Sequence, residues 1–273
     1  MRSKLLAVLA AGVLAASLTA CGSDSGDGGS AQVLRVGTLT DAPPAIYVKD
    51  GNFTGFDNEL LRDIAKREGF EVEFVGTEFS SLLAGVANGR FDIGSSTISA
   101  TEARKKTVAF SNGYHTEYTT IVTAKGANLT SIEAFKGKRI GVVQGSVQDD
   151  FATNKAPGAE VVRFPDYNAG FAQLRNKTID GWVVPNEIGN QYIEQNASVP
   201  LEIGYKIETK ATPSAFAVSK TNKELLDKLN KGLAAAIADG TVEKLNTKFY
   251  PDSPLPKELE PGGPGLPVSN PGV

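Results

Sequence analysis

The strongest constraint on how this chain can fold is an alternation near its start. Residues 34–38, LRVGT, read as a strand. Residues 57–68 place Leu60, Leu61, Ile64 and Ala65 at helical spacing, with Gly69 as a stop. Residues 71–75 alternate as a second strand, 79–87 form a second helix, and the apolar opening around Ile93 starts a third strand. Strand, helix, strand, helix, strand calls for a parallel sheet covered on both faces, with ligands expected at the carboxyl ends of the strands.

The stretch FDIGSSTISATEARKKTVAFSNGY, residues 91–114, sits at such an end. Ser95, Ser96, Thr97 and Ser99 offer hydroxyls with little bulk, so backbone can approach a small polar ligand. Arg104 follows on a short turn capped by Thr101, and its planar fork of donors suits a carboxylate. The plainer account makes Thr101 a helix cap and Glu102, Arg104, Lys105 and Lys106 a solvated face.

The chain has 273 residues, 41% hydrophobic and 22% charged, which is enough for one or two globular domains. Its formal net charge of -3 argues against a nucleic-acid binder, which needs a basic face. Residues 1–20 carry Arg2 and Lys4, an apolar run and small residues before Cys21, the pattern of a secretory signal peptide too short to span a membrane. Leu18-Thr19-Ala20-Cys21 looks like a lipobox, which makes Cys21 a lipid anchor at the cell membrane. As the single cysteine it has no intramolecular disulfide partner, which fits that role. Residues 21–32 read as a flexible tether and residues 251–273, rich in Pro and Gly, as a disordered tail.

Further along, strands are expected at 139–143, 160–164 and 181–184, and helices near 131–135, 147–154, 169–176 and 223–237. The loop 39–48, with Pro43 and Pro44, is expected to lack regular structure. No metal or nucleophile constellation stands out: His115 is the single histidine, Glu117 beside it gives no ligand spacing, and His115 reads as surface or cleft rim. No cofactor is implied, and no phosphate-binding G-x-x-x-x-G-K-[ST] loop is present, so an energy-coupling ATPase is expected on another chain.

The string D-x-G-S-S-T-I-S-x-T-x-x-R, followed by V-x-F-S-x-x-Y, resembles the central motif of the family 3 extracytoplasmic solute-binding proteins, the polar amino-acid receptors of ABC importers. LRVGT, GFDNELLRDIAKREG, GKRIGVVQGS and ADGTVEKLNTKFY are similar to that family's first strand, first helix, second-lobe opening and closing helix. The resemblance implies an α/β, two-lobed periplasmic-binding-protein fold of type II, each lobe a mostly parallel sheet flanked by helices and joined by a two-crossing hinge. Lobe 1 would take residues 33–120 and 219–250 and lobe 2 residues 121–218, with hinge closure around a ligand. It implies a monomer that captures a small carboxylate, a polar amino acid first among them, and hands it to ABC permease subunits in the membrane.

Carried over residue by residue, the resemblance gives Arg104 the ligand carboxylate, with Ser96, Thr97 and Ser99 beside it and Phe79 over the ligand side chain. In lobe 2 it points to Gly145, Ser146 and Gln148, on a strand-to-helix turn with free N–H groups. Plainer roles are core packing for Phe79 and helix capping for Ser146. The acidic residues that many members place in the first loop and after the second-lobe strand are displaced here. Leu39 or Asp41 stands near the first position and Pro185, Asn186 and Glu187 near the second. Either Asp41, Asn186, Glu187 or Asp166 meets a ligand ammonium, or the ligand carries none; Asp166 doubles as a helix cap. Two other functions stay open at this stage: a secreted dehydratase-type enzyme on the same fold, and a ligand sensor for a membrane receptor.

Overall fold

The computed structural model describes residues 32–207 and 212–273. The signal peptide, the Cys21 anchor and nearly all of the tether lie outside the described residues; Gln32, assigned to the tether, opens the first strand.

The alternation in the sequence becomes β1 (Gln32–Thr38), β2 (Asp41–Ala42), β3 (Ile46–Lys49), β4 (Asn52–Thr54), α1 (Phe56–Glu68), β5 (Phe70–Gly76), α2 (Phe79–Ala87), β6 (Ile93–Gly94), α3 (Glu102–Lys105) and β7 (Ala109–Phe110). β1 runs parallel to β5 on one side and β6 on the other. The loop expected to be irregular is instead the small antiparallel sheet β2-β3-β4. Pro43 and Pro44 fall in the turn between β2 and β3, where a missing N–H removes no ladder bond.

α1 ends as its sequence dictates, on Gly69 at φ 74 with its N–H returning to the Ala65 carbonyl. Its buried stripe of Leu60, Leu61, Ile64 and Ala65 packs, in the same core, with Leu225, Leu226, Leu229 and Leu233 of the late helix described below. Each such side chain contributes roughly 1.5–3 kcal/mol by leaving water.

The chain then leaves this lobe along β8 (Thr119–Ala124) and builds a second one from β9 (Arg139–Val143), α4 (Val147–Lys155), β10 (Glu160–Phe164), α5 (Tyr167–Arg175), β11 (Gly181–Pro185), α6 (Asn186–Gln195) and β12 (Leu201–Ile207). Its sheet has the order β10-β9-β11-β8-β12, parallel for the first three strands and antiparallel where β8 and β12 join. The helix expected near 131–135 shrinks to a single 3-10 turn at Glu133–Phe135.

β13 (Ala217–Val218), α7 (Lys223–Ala238) and α8 (Thr241–Phe249) complete the first lobe. β13 pairs antiparallel with both β6 and β7, giving the order β5-β1-β6-β13-β7. The return to lobe 1 is therefore earlier than the expected boundary at 218/219, since Ser214 already bridges Ser99 and His115. Likewise Thr119 and Thr120, placed in lobe 1 from the sequence, pair in the lobe 2 sheet. α7 comes so close to α1 that a Cβ on Gly232 would stand 2.7 Å from the Ile64 side chain.

The tail corrects a second expectation. Residues 251–273 do not stand free but lie along lobe 1: Leu259 is completely buried and Leu266 pairs with Gly113. Asn270 accepts from the Phe110 N–H at 2.7 Å and donates to the Phe110 carbonyl at 2.8 Å, filling the open ladder position on edge strand β7. The Pro and Gly content signals the absence of α-helix, and apart from a 3-10 turn at Lys257–Leu259 the segment packs without regular structure. Leu259→Ala should accordingly lower unfolding free energy by about 2–5 kcal/mol, read as a lower midpoint in denaturant titration; a free tail would leave the midpoint unmoved.

Candidate functional site

The loop between β6 and α3 forms one wall of a cleft between the lobes, and the start of α4 forms the other. The cleft is lined by Leu39, Phe79, Ser96, Thr97, Ser99 and Arg104 from lobe 1, by Val143, Ser146, Val147, Gln148, Tyr167 and Pro185 from lobe 2, and by Glu117 from the crossing segment. Its central free space is about 20 Å³, room for about one water molecule. A ligand of amino-acid size does not fit this central space as it stands.

The loop owes its shape to Asp57. This buried carboxylate accepts from the Thr97 N–H and from the Tyr114 hydroxyl, both at 2.6 Å. It pins Thr97 at φ 42, a left-handed conformation that a β-branched residue rarely adopts. The Thr97 N–H is thereby spent inside the protein, and what Thr97 offers the cleft is its side chain. Ser96 Oγ accepts from the Leu39 N–H at 3.1 Å, tying the same loop to the end of β1.

Arg104 is held by α3, whose N-cap Thr101 accepts from the Arg104 N–H. One of its terminal nitrogens donates to the Ser99 carbonyl of its own lobe and the other to the Gly145 carbonyl of lobe 2, each at 3.1 Å. The guanidinium lies 5.1 Å from the centre of the Phe79 ring. Phe79 therefore faces the cleft and also packs against the core. Burial draws the Arg104 pKa down to about 10, with Asp150 working in the opposite direction. Among the described residues no carboxylate forms an ion pair with Arg104.

The lobe 2 residues take their capping roles. Ser146 is the N-cap of α4, its Oγ accepting from the Asp149 N–H at 3.1 Å. Gly145, at φ 76, donates its N–H to Asp149, so the carbonyl is what it presents to Arg104. Gln148 Nε2 donates to Thr119 Oγ1 at 3.2 Å.

Four residues considered for a ligand ammonium do not line this cleft. Asp41 Oδ2 accepts from the Asn168 N–H at 2.8 Å, joining lobe 1 to the start of α5. Asn186 is clipped to Tyr118 by its Oδ1 and its N–H. Glu187, in the first turn of α6, lines a separate groove with Pro44, Tyr250 and Ser253. Asp166 caps α5 through the Ala169 N–H at 2.7 Å, as its plainer reading held. Asp41, Asn186 and Asp166 are each engaged by a backbone N–H, whereas Glu187 meets the Ser253 hydroxyl with one oxygen and leaves the other buried without a partner.

Glu117 and Tyr167 are cleft residues that sequence reasoning missed. The available signal for Glu117 was position: a segment crossing between two lobes passes the floor of the cleft between them. Its side chain is 12% exposed, and burial, then repulsion from Glu187 and Asp57, pushes its carboxyl well above the usual range. His115, expected at surface or rim, is buried instead. It stacks on Tyr250 with ring centroids 4.8 Å apart, and burial lowers its pKa to about 4.

Burial likewise raises Asp57 from 3.8 to about 7 despite its two hydrogen bonds. The unfolded chain releases this proton near pH 4 while the folded chain keeps it, so the Asp57 contribution to stability is complete in acid and is lost as pH rises toward 7. His115 acts with the opposite sign, its contribution disappearing as pH falls from 6.5 to about 4. Asp57→Asn isolates the first effect. The parent-minus-variant difference in unfolding free energy should decline between about pH 4 and 7 and level off above about pH 8, measured by denaturant titration at each pH.

Residues 34–252 match the model of the bacterial extracellular solute-binding proteins, family 3. The chain is 31% identical to the arginine-binding extracellular protein ArtP of Bacillus subtilis (strain 168), over 90% of its own length and 98% of the relative's. It is 30% identical to the ABC transporter arginine-binding protein 1 of Escherichia coli (strain K12), over 81% of this chain and 92% of that one. Among solved structures, an ancestral arginine-binding protein bound to arginine aligns with a TM-score of 0.77 at 33% identity, covering 80% of this chain and 98% of the other.

Proposed function

The chain belongs to the bacterial extracellular solute-binding proteins of family 3, and from that premise we propose that it captures a polar amino acid outside the cytoplasm, by its carboxylate, for delivery to an ABC permease. The observation that carries this reading is the state of Arg104. A guanidinium drawn out of water ordinarily has an anionic partner, because burying a charge is costly. Here it has two backbone carbonyls, one from each lobe, and an aromatic ring. A ligand carboxylate supplies the missing charge, and its planar oxygens match two parallel N–H donors. The Ser96, Thr97 and Ser99 side of the cleft and the α4 N-terminus add neutral donors around it.

Release and capture follow from the same contact. The Arg104–Gly145 bond spans the cleft, so a ligand seated on Arg104 replaces a contact between the lobes by one that it bridges itself. Closure around the ligand is then a two-state hinge movement in which the crossing near Thr119 takes part. Relatives named as arginine-binding proteins support an amino-acid ligand and an ABC transporter context. The lipobox-like Leu18–Cys21 segment adds a lipid anchor at Cys21 that holds the monomer beside its permease.

A thermal-shift screen of amino acids identifies the ligand, since binding to the folded state alone raises the melting temperature. Calorimetric titration of that ligand then tests Arg104. Arg104→Ala should weaken binding by about 2–5 kcal/mol, and Arg104→Lys, which keeps charge without the fork, should recover only part of it. Affinities within about a factor of three across all three proteins, a difference of under 1 kcal/mol, would remove Arg104 as the group that binds the carboxylate. Separately, Cys21→Ser should yield a folded, ligand-competent protein that leaves the detergent phase on partitioning; retention there equal to the parent's would remove the anchor.

A further inference from the structure

Behind the cleft, His115 and Glu117 of the first crossing converge with Glu187 of α6. One imidazole nitrogen of His115 and one carboxylate oxygen each from Glu117 and Glu187 all lie within 4.8 Å of one another. We propose that His115, Glu117 and Glu187 form a binding site for a divalent transition-metal ion of the zinc class, at the junction of the two lobes.

Two of the three side chains carry a buried polar atom without a partner. His115 is 4% exposed, and its Nε2 has no hydrogen bond, the Glu117 oxygen standing 3.9 Å away. Glu187 Oε2 is buried and equally unpartnered. Such groups are rare because each forfeits its hydration for nothing in return. The ring is held in place: Tyr250 stacks on it with an interplanar angle of 14°, Phe56 packs at 5.8 Å, and the His115 carbonyl accepts from the Ser214 N–H. The surroundings supply no alternative cation. Among the described residues no Lys or Arg forms an ion pair with Glu117 or Glu187, so two facing carboxylates stand in one desolvated space.

The ligand set selects the ion. One imidazole and two carboxylates suit zinc and its first-row neighbours, whereas magnesium and calcium take oxygen ligands throughout. Three atoms spaced no more than 4.8 Å apart can all lie within about 2.8 Å of a common point, so a contraction of under about 1 Å brings them to ordinary zinc distances. The flexible glutamates can supply that movement. Glu117 also lines the cleft, so the site adjoins the ligand space. His115 belongs to the lobe 1 end of the first crossing and Glu187 to α6 of lobe 2, so the ion would tie the lobes together independently of Arg104.

The test uses the full chain, stripped of metal and free of amino acid, titrated with Zn²⁺ by calorimetry and with Co²⁺ by visible absorption. The parent should bind one ion per chain at micromolar concentration or tighter, with a Co²⁺ spectrum showing mixed nitrogen and oxygen ligation. Glu187→Gln, Glu117→Gln and His115→Asn should each weaken binding by about 100-fold or more, beyond the loss typical of groups outside the first coordination shell. Circular dichroism confirms that each variant is folded, and the two isosteric Gln variants stand as the test should His115→Asn unfold. Arg104→Ala should bind metal as the parent does, which separates this site from amino-acid capture. Absence of saturable binding by the parent, or unchanged affinity in both Gln variants, overturns the proposal. So does a parent that binds no metal while Glu117→Gln abolishes amino-acid binding, because the carboxylates would then serve the ligand's own cationic group.

Discussion

The cleft depends on one buried carboxylate. Asp57 sits in the first turn of α1, where the helix N-terminus favours negative charge, yet it is fully buried and directs its Oδ2 to the Thr97 N–H and the Tyr114 hydroxyl. Those two contacts connect the first helix to the β6–α3 loop and to the segment that leads out of lobe 1. With Thr97 fixed in a left-handed conformation, the chain turns so that Ser96 and Ser99 face the cleft and the Ser99 carbonyl meets Arg104. A structural carboxylate thus sets the geometry of the polar surface, and the burial that makes it an effective anchor also gives it its raised pKa.

The two lobes are joined differently at the two ends of the cleft. On one side Asp41 reaches the backbone at the start of α5, an acceptor placed on free helical N–H groups. In the centre Arg104 reaches the Gly145 carbonyl, a bond from a charged donor to a neutral acceptor. The first contact gives a helical N–H an acceptor. The second leaves a net charge without its counterion, which makes the central contact the one a carboxylate can replace.

Packing outside the cleft serves to keep this arrangement rigid. α1 and α7 approach closely enough to require glycine at 232, and the last residues of the chain cover the β7 edge that would otherwise present unpaired N–H and C=O groups. Asn270 does this with a side-chain amide, which carries the same donor and acceptor as a backbone peptide.

Secondary structure in the sequence was legible where apolar periodicity was strong: α2, β9 and β10 fall on the residues expected, and α1 and α7 within one residue. Arg104, Thr97 and Ser99 could be placed at a strand end from the order of elements, Phe79 only from the family resemblance, and all four line the cleft. What the sequence could not decide was which polar side chains remain available. Asp41, Asn186 and Ser146 occupy plausible positions, but each is spent on a backbone group whose location depends on tertiary packing. Glu117, Tyr167 and the burial of His115 arise from a crossing segment and a second lobe brought against the first, with no local pattern to mark them. The same holds for the tail, whose composition disfavours α-helix and strand without excluding contact. Periodicity is a property of neighbours along the chain and survives in the sequence; convergence of side chains across two lobes is a property of distance in space, and only the folded structure sets it.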